Sequence, residues 1–139
     1  MDKAEGQIEF ALESLVMNFP HTLLLWKQHW AETEVHYRNA PYNPDLKQFT
    51  ALEQSGMSRY FTARVDGKLV GHLYFIVYNN RHTSTKISVE DFYFFEEAHR
   101  KGANAIKLLR FAIDALRAEG VTQIGMSSKL TGKKNIDPI

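Results

Sequence analysis

Cysteine is absent from this chain of 139 residues. Its absence excludes disulfides, thiolate zinc sites and a thiol nucleophile, and it says little about compartment. A long apolar run is also missing. The longest, Leu69 to Tyr78, is interrupted by His72 and is far too short to span a bilayer. The N-terminus, Met1-Asp2-Lys3-Ala4-Glu5-Gly6, lacks the basic-then-apolar order of a signal peptide. A soluble cytoplasmic protein is therefore the expectation. Excess charge is lacking too. With 17 Lys+Arg against 16 Asp+Glu the net charge is +1, which by itself argues for no polyanionic partner. No cluster of His, Asp and Glu has metal-ligand spacing, so no metal is expected. Internal repeats, linkers and low-complexity tracts are not seen.

What is present suits a globular protein: 44% hydrophobic residues, 12% aromatics, and enough length for one domain over 1–139. The charge is unevenly spread. Residues 1–98 hold 9 Lys+Arg against 13 Asp+Glu, and residues 99–139 hold 8 against 3. A positive field over the last third would draw in a phosphorylated ligand.

Residues 7–17 place Ile8, Ala11, Leu12, Leu15 and Val16 on one helical face, which predicts a helical N-terminus ended or interrupted by Pro20. A second helix is expected over about 22–37, then a turn-rich loop over 39–44, then a short helix to about Gln54 capped by Asp45, with Leu46, Phe49 and Leu52 inward. Strands follow at 60–65 and 69–77, joined by Asp66-Gly67, a strong tight-hairpin signal. A third strand over 85–95 alternates Ile87, Val89, Asp91, Tyr93 and Phe95 on one face with Ser88, Glu90, Phe92 and Phe94 on the other. An amphipathic helix from Ala103 to Glu119 stops at Gly120, and Val121 to Ser127 reads as one more strand. Strand, helix, strand at this spacing is a right-handed crossover between parallel strands. The fold class expected is α/β, with a mixed sheet in which an antiparallel meander joins a parallel strand through a crossover helix.

Residues 91–113 are the most informative stretch. An aromatic strand enters a basic turn, His99-Arg100-Lys101-Gly102-Ala103-Asn104, which opens directly into the helix. Backbone N–H groups at a helix start have no intrahelical partner, and the helix dipole adds positive potential. The turn is thus a candidate seat for a phosphate or pyrophosphate.

This order of elements, over roughly residues 45–139, resembles the GNAT superfamily of acetyltransferases. The family's signature is Gln or Arg, two residues, Gly, one residue, then Gly or Ala. Gly102 matches it. His99 stands for the Gln or Arg, and Asn104 for the second small residue, followed by Ala105. In flavour the chain resembles bacteriophage-encoded members. The resemblance implies acetyl-CoA as acetyl donor and direct attack by an amine, from a small molecule or a protein. By the same resemblance the pyrophosphate lies on His99, Arg100, Lys101, Gly102, Ala103, Asn104 and Ala105. The pantetheine arm and thioester lie along the backbone of Phe92 and Phe94, and Ser127 or Ser128 bonds the ligand across the cleft. Glu90 is the candidate base, with His72 and His82 as rivals. Tyr42 and Trp30 flank the loop that shapes the acceptor site in family members.

Lys133 to Ile139 reads as the start of a helix, so a GNAT-like domain lacking its last helix and strands is expected, with a homo-oligomer or a partner completing the sheet. Two other readings stay open. One is a non-catalytic GNAT-like structural or binding module, such as a phage virion component. The other, nucleic-acid binding by the basic last third, is disfavoured because Arg100, Lys107, Arg110 and Arg117 lack interleaved aromatics.

Overall fold

A computed structural model describes residues 7–32, 43–100 and 102–126. The elements run β1 (Ile8–Glu13), α1 (Phe19–Glu32), α2 (Leu46–Gln54), β2 (Ser58–Val65), β3 (Lys68–Asn80), β4 (Thr85–Phe95), a 3-10 turn (Glu97–His99), α3 (Asn104–Ala118) and β5 (Val121–Gly125). They form one five-stranded sheet in the order β1-β2-β3-β4-β5. The first four strands are antiparallel to their neighbours, and β5 is parallel to β4. The mixed sheet and the α3 crossover are those expected from the sequence.

The N-terminus departs from that expectation. Residues 8–13 are a strand, not a helix, and pair with β2 from Ile8↔Val65 to Glu13↔Tyr60. Ile8, Phe10 and Leu12 alternate with polar or small residues, a pattern that suits the edge of a sheet. Phe10 meets Phe111 of α3 with ring centres 5.9 Å apart. Pairing and that packing outweigh a helical periodicity over so short a stretch. Pro20 does not end a helix. It lies in the first turn of α1, where its missing N–H has no intrahelical acceptor to lose. Asp45 caps α2 as expected, accepting from the N–H groups of Lys47 (3.0 Å) and Gln48 (3.3 Å). Phe49 packs inward, but Leu46 is exposed.

Asp66 and Gly67 both have positive φ, 50° and 84°, the geometry of a two-residue turn matched to the twist of its strands. One face of the sheet packs on α3 through Phe61, Leu73, Phe75, Val77 and Phe95 against Leu108, Ala112 and Leu116. The other face carries α1 and α2, with Trp26 among Tyr60, Tyr74 and Phe92, and Leu25 against Leu69 and Phe94. No described helix is long and apolar enough to cross a membrane.

Candidate active site

The two parallel strands share only a short ladder. β4 pairs with β5 from Lys86↔Val121 to Val89↔Gly125, yet β4 continues to Phe95. Its edge from Glu90 onward has no strand partner among the described residues. The parting coincides with a β-bulge. Phe75 faces Glu90 and Tyr74 faces Phe92, so Asp91 is an extra residue in β4. A bulge bends its strand and increases the local twist, which turns β4 away from β5. The result is a fork in which β4 runs on beyond its ladder with β5.

The bulge also corrects the expected alternation. Cross-strand partners share a face, so Glu90 lies with Phe75 on the α3 side, together with Ser88, Tyr93 and Phe95. Phe92 and Phe94 lie on the α1 side with Ile87 and Val89. Glu90 therefore does not share their face: one inserted residue reverses the parity of all that follows. Glu90 is 8% exposed, at the root of the fork. Nearby, Tyr93 donates its hydroxyl to the Ala105 carbonyl in the first turn of α3. Burial, and then the Glu90 carboxylate, push the Tyr93 phenol up to about 12. Asp91 was not singled out in the sequence. It is exposed at the bulge, and its charge adds to burial in raising the Tyr74 phenol on the α1 side. A carboxylate within an aromatic strand was the available signal.

Past Phe95 the chain makes the basic turn. Gly102 has φ +72° with nothing within 4 Å of where a Cβ would stand, so its conformation demands glycine and the space beside it is open. Ala103 begins α3 without a side-chain cap. The backbone ladder starts with Lys107 N–H to the Ala103 carbonyl at 2.8 Å. The N–H groups of the preceding residues in that first turn thus have no intrahelical acceptor. Asn104 stands where the signature has a small residue, and its side chain donates back to the His99 carbonyl at 3.1 Å, tightening the turn. His99 leans on Glu96, 3.5 Å away. Arg100 is engaged elsewhere. Its Nε donates to the Phe95 carbonyl at 2.8 Å, and Nη2 donates to Glu32 Oε1 at 2.6 Å.

The fold thus sets Glu90 and the backbone of Phe92 and Phe94 along the second half of β4, with the turn toward α3 following it. Lys101, Ser127, Ser128 and Tyr42, and the helix start expected at 133–139, lie outside the described residues. Trp30 is half-buried in α1. His82 sits in the exposed β3–β4 turn. His72 is wholly buried, with Nδ1 2.9 Å from the Tyr60 hydroxyl, which is itself 2.7 Å from Thr22 Oγ1. Burial holds the His72 imidazole well below its ordinary pKa, as befits a core residue rather than a base. Among the described residues no group of three His, Cys, Asp or Glu could hold a metal ion.

Comparison with known proteins agrees with this fold. The Acetyltransferase (GNAT) family profile matches residues 23–135. Similar solved structures include a ribosomal-protein-alanine N-acetyltransferase from Brucella melitensis biovar Abortus 2308, at 19% identity and TM-score 0.69, covering 91% of this chain and 83% of that one. An aminoglycoside acetyltransferase from an uncultured soil metagenomic sample is similar at 17% identity and TM-score 0.72, over 91% and 82% of the two chains. So is a predicted acetyltransferase with acetyl-CoA from Clostridium acetobutylicum, at 8% identity and TM-score 0.71, over 96% and 94%. No curated protein matches significantly. The chain belongs to the GNAT family of acetyltransferases.

Proposed function

We propose that this chain is an acetyl-CoA-dependent N-acetyltransferase in which an amine attacks the donor directly. One observation carries the reading. Beyond its ladder with β5, which ends at Val89 and Gly125, β4 runs on to Phe95, and a short 3-10 turn leads from there toward the glycine turn at the start of α3. A long ligand with an amide-bearing arm and a pyrophosphate matches such a track: strand edge for the arm, helix start for the phosphates. The chain's groups fit that donor. The open space at Gly102 admits close approach of phosphate oxygens, and the N–H groups of the first turn of α3 supply donors. Bound acetyl-CoA supplies an activated acetyl thioester.

In this reading the backbone of Phe92 and Phe94 aligns the arm, and the backbone from Gly102 into the first turn of α3 holds the pyrophosphate. Glu90 takes the proton of the attacking amine, directly or through water. Its place at the root of the fork supports the role, and Asp91, the next residue, is the comparator. The two neighbours named for their acceptors, a ribosomal-protein alanine and an aminoglycoside, share this fold and differ in acceptor. The acceptor here is therefore sought among both protein and small-molecule amines. Calorimetric titration with CoA and acetyl-CoA tests the donor, and thiol release across an amine panel tests the reaction. Failure of CoA to bind would refute the reading. Binding without acetylation of any amine would favour the non-catalytic module.

A further inference from the structure

The last turns of α1 are fastened to the cofactor turn by contacts from one side of the helix. Gln28 Nε2 donates to Glu96 Oε2 at 3.2 Å, and Glu96 in turn pairs with His99 at 3.5 Å. The His29 ring stacks on Phe94, 4.7 Å between centres and 11° from parallel. Glu32 accepts from Arg100 at 2.6 Å. The Arg100 guanidinium also lies 5.3 Å from the centre of the Phe94 ring. Residues 28 and 32, and 29 and 32, are neighbours on a helix surface, so the three contacts form one patch. The buried residues of α1 are Thr22, Leu25 and Trp26. After Trp26 the residues of α1 are half-buried or exposed, so the end of the helix draws on this patch.

We infer that Arg100 is a strut rather than a phosphate ligand, and that CoA pyrophosphate bound on the backbone of Gly102 to Asn104 stiffens the last turn of α1. The inference rests on the cofactor placement proposed above. Glu32 neutralises the Arg100 charge, and the Phe95 carbonyl takes a further donor. Among the described residues, what remains for an anion is the N–H groups and dipole of α3. Helix ends with few buried contacts open locally at low cost. Each opening of the end of α1 must release Arg100 from Glu32. A pyrophosphate held by the backbone of Gly102 to Asn104 restrains the backbone of Arg100, so the strut has less freedom to follow the helix. Occupancy at one site is then felt at the other through reduced motion. Arg100 is a positioning residue: it joins the donor turn to the end of α1.

Amide hydrogen exchange of the full chain, with and without CoA, tests the coupling, alongside calorimetry of wild type, Glu32→Gln, Arg100→Gln and the double variant. Both positions are partly exposed, so the variants retain the core. In wild type CoA slows exchange over residues 27–32 by about fivefold, the scale of one surface ion pair. That response disappears in either single variant. The double variant, which keeps the net charge, binds CoA within about threefold of wild type. Loss of about tenfold or more in CoA affinity by the double variant would instead make Arg100 a phosphate ligand. Wild-type CoA binding with unchanged exchange over 27–32 would remove the coupling alone. Absence of CoA binding by wild type would overturn the cofactor placement and the coupling together, and calorimetry separates that result from the other two.

Discussion

Gly71 is where the sheet makes room for the end of β4. It pairs with Phe95, and a Cβ built on it would stand 2.6 to 2.7 Å from three atoms of the Phe95 ring. Ordinary carbon contacts lie at about 3.5–4.0 Å, so Gly71→Ala must drive the ring back by about 1 Å. The ring has little room to go: Phe95 is 4% exposed and packed in the cluster that meets α3. Overpacking of this kind costs about 1–3 kcal/mol. For a chain of this size that is a loss of roughly 3–12 °C in Tm. The strain also falls on the site, because the Phe95 carbonyl holds Arg100 and the donor turn follows directly. CoA affinity should therefore fall with stability. Thermal and urea unfolding of Gly71→Ala, Phe95→Leu and the double variant provide the assay. The smaller ring substitute should relieve the clash, so the double variant should be more stable than the sum of the single losses allows. A Gly71→Ala protein within about 0.5 kcal/mol of wild type would refute the packing argument.

Gly102→Val places a β-branched residue at φ +72° and fills the open space beside it; calorimetry should find CoA binding abolished, and unchanged affinity would dismiss the pyrophosphate placement. Glu90→Gln should keep CoA affinity while lowering turnover by roughly 10²–10⁴-fold, less at high pH where the amine is already free; if only Asp91→Asn does this in the thiol-release assay, the base is Asp91. His72 has a folded pKa well below its unfolded value of 6.5, so the unfolded chain binds the proton first: stability is full above pH 6.5 and declines below it, by up to about 1.4 kcal/mol per pH unit. His72→Phe should flatten the unfolding profile between about pH 6.5 and 5, and an unaltered slope would contradict the buried neutral imidazole. Glu119 is lowered from 4.5, first by its hydrogen bond from Arg59 at 2.9 and 2.8 Å, with Lys86 adding to it. Its stabilisation is therefore present above pH 4.5 and lost as pH falls through the lower folded value. Glu119→Gln should lose less stability than wild type on acidification below pH 4.5, as followed by Tm.

The sequence by itself determined the features that local chemistry dictates. Asp66-Gly67 specifies a tight hairpin because both residues tolerate positive φ. Asp45 specifies a cap because its carboxylate reaches two orphan N–H groups. The period of 103–119 and the strands on either side specify a crossover helix, and with it the turn at Gly102. The features decided by tertiary structure are those in which distant residues compete with local preference. Residues 8–13 satisfy a helical stripe, but the edge of β2 offers a full ladder and α3 offers Phe111, so they become a strand. The bulge at Asp91 leaves no mark in an alternating aromatic segment, yet it moves Glu90 to the α3 face and opens the fork. Arg100 looks like a phosphate ligand in a basic turn. Only the approach of α1, with Glu32 and His29 one turn apart, gives its charge a partner. Charge and spacing in a sequence show which groups are available, while the folded chain decides which partner each of them meets.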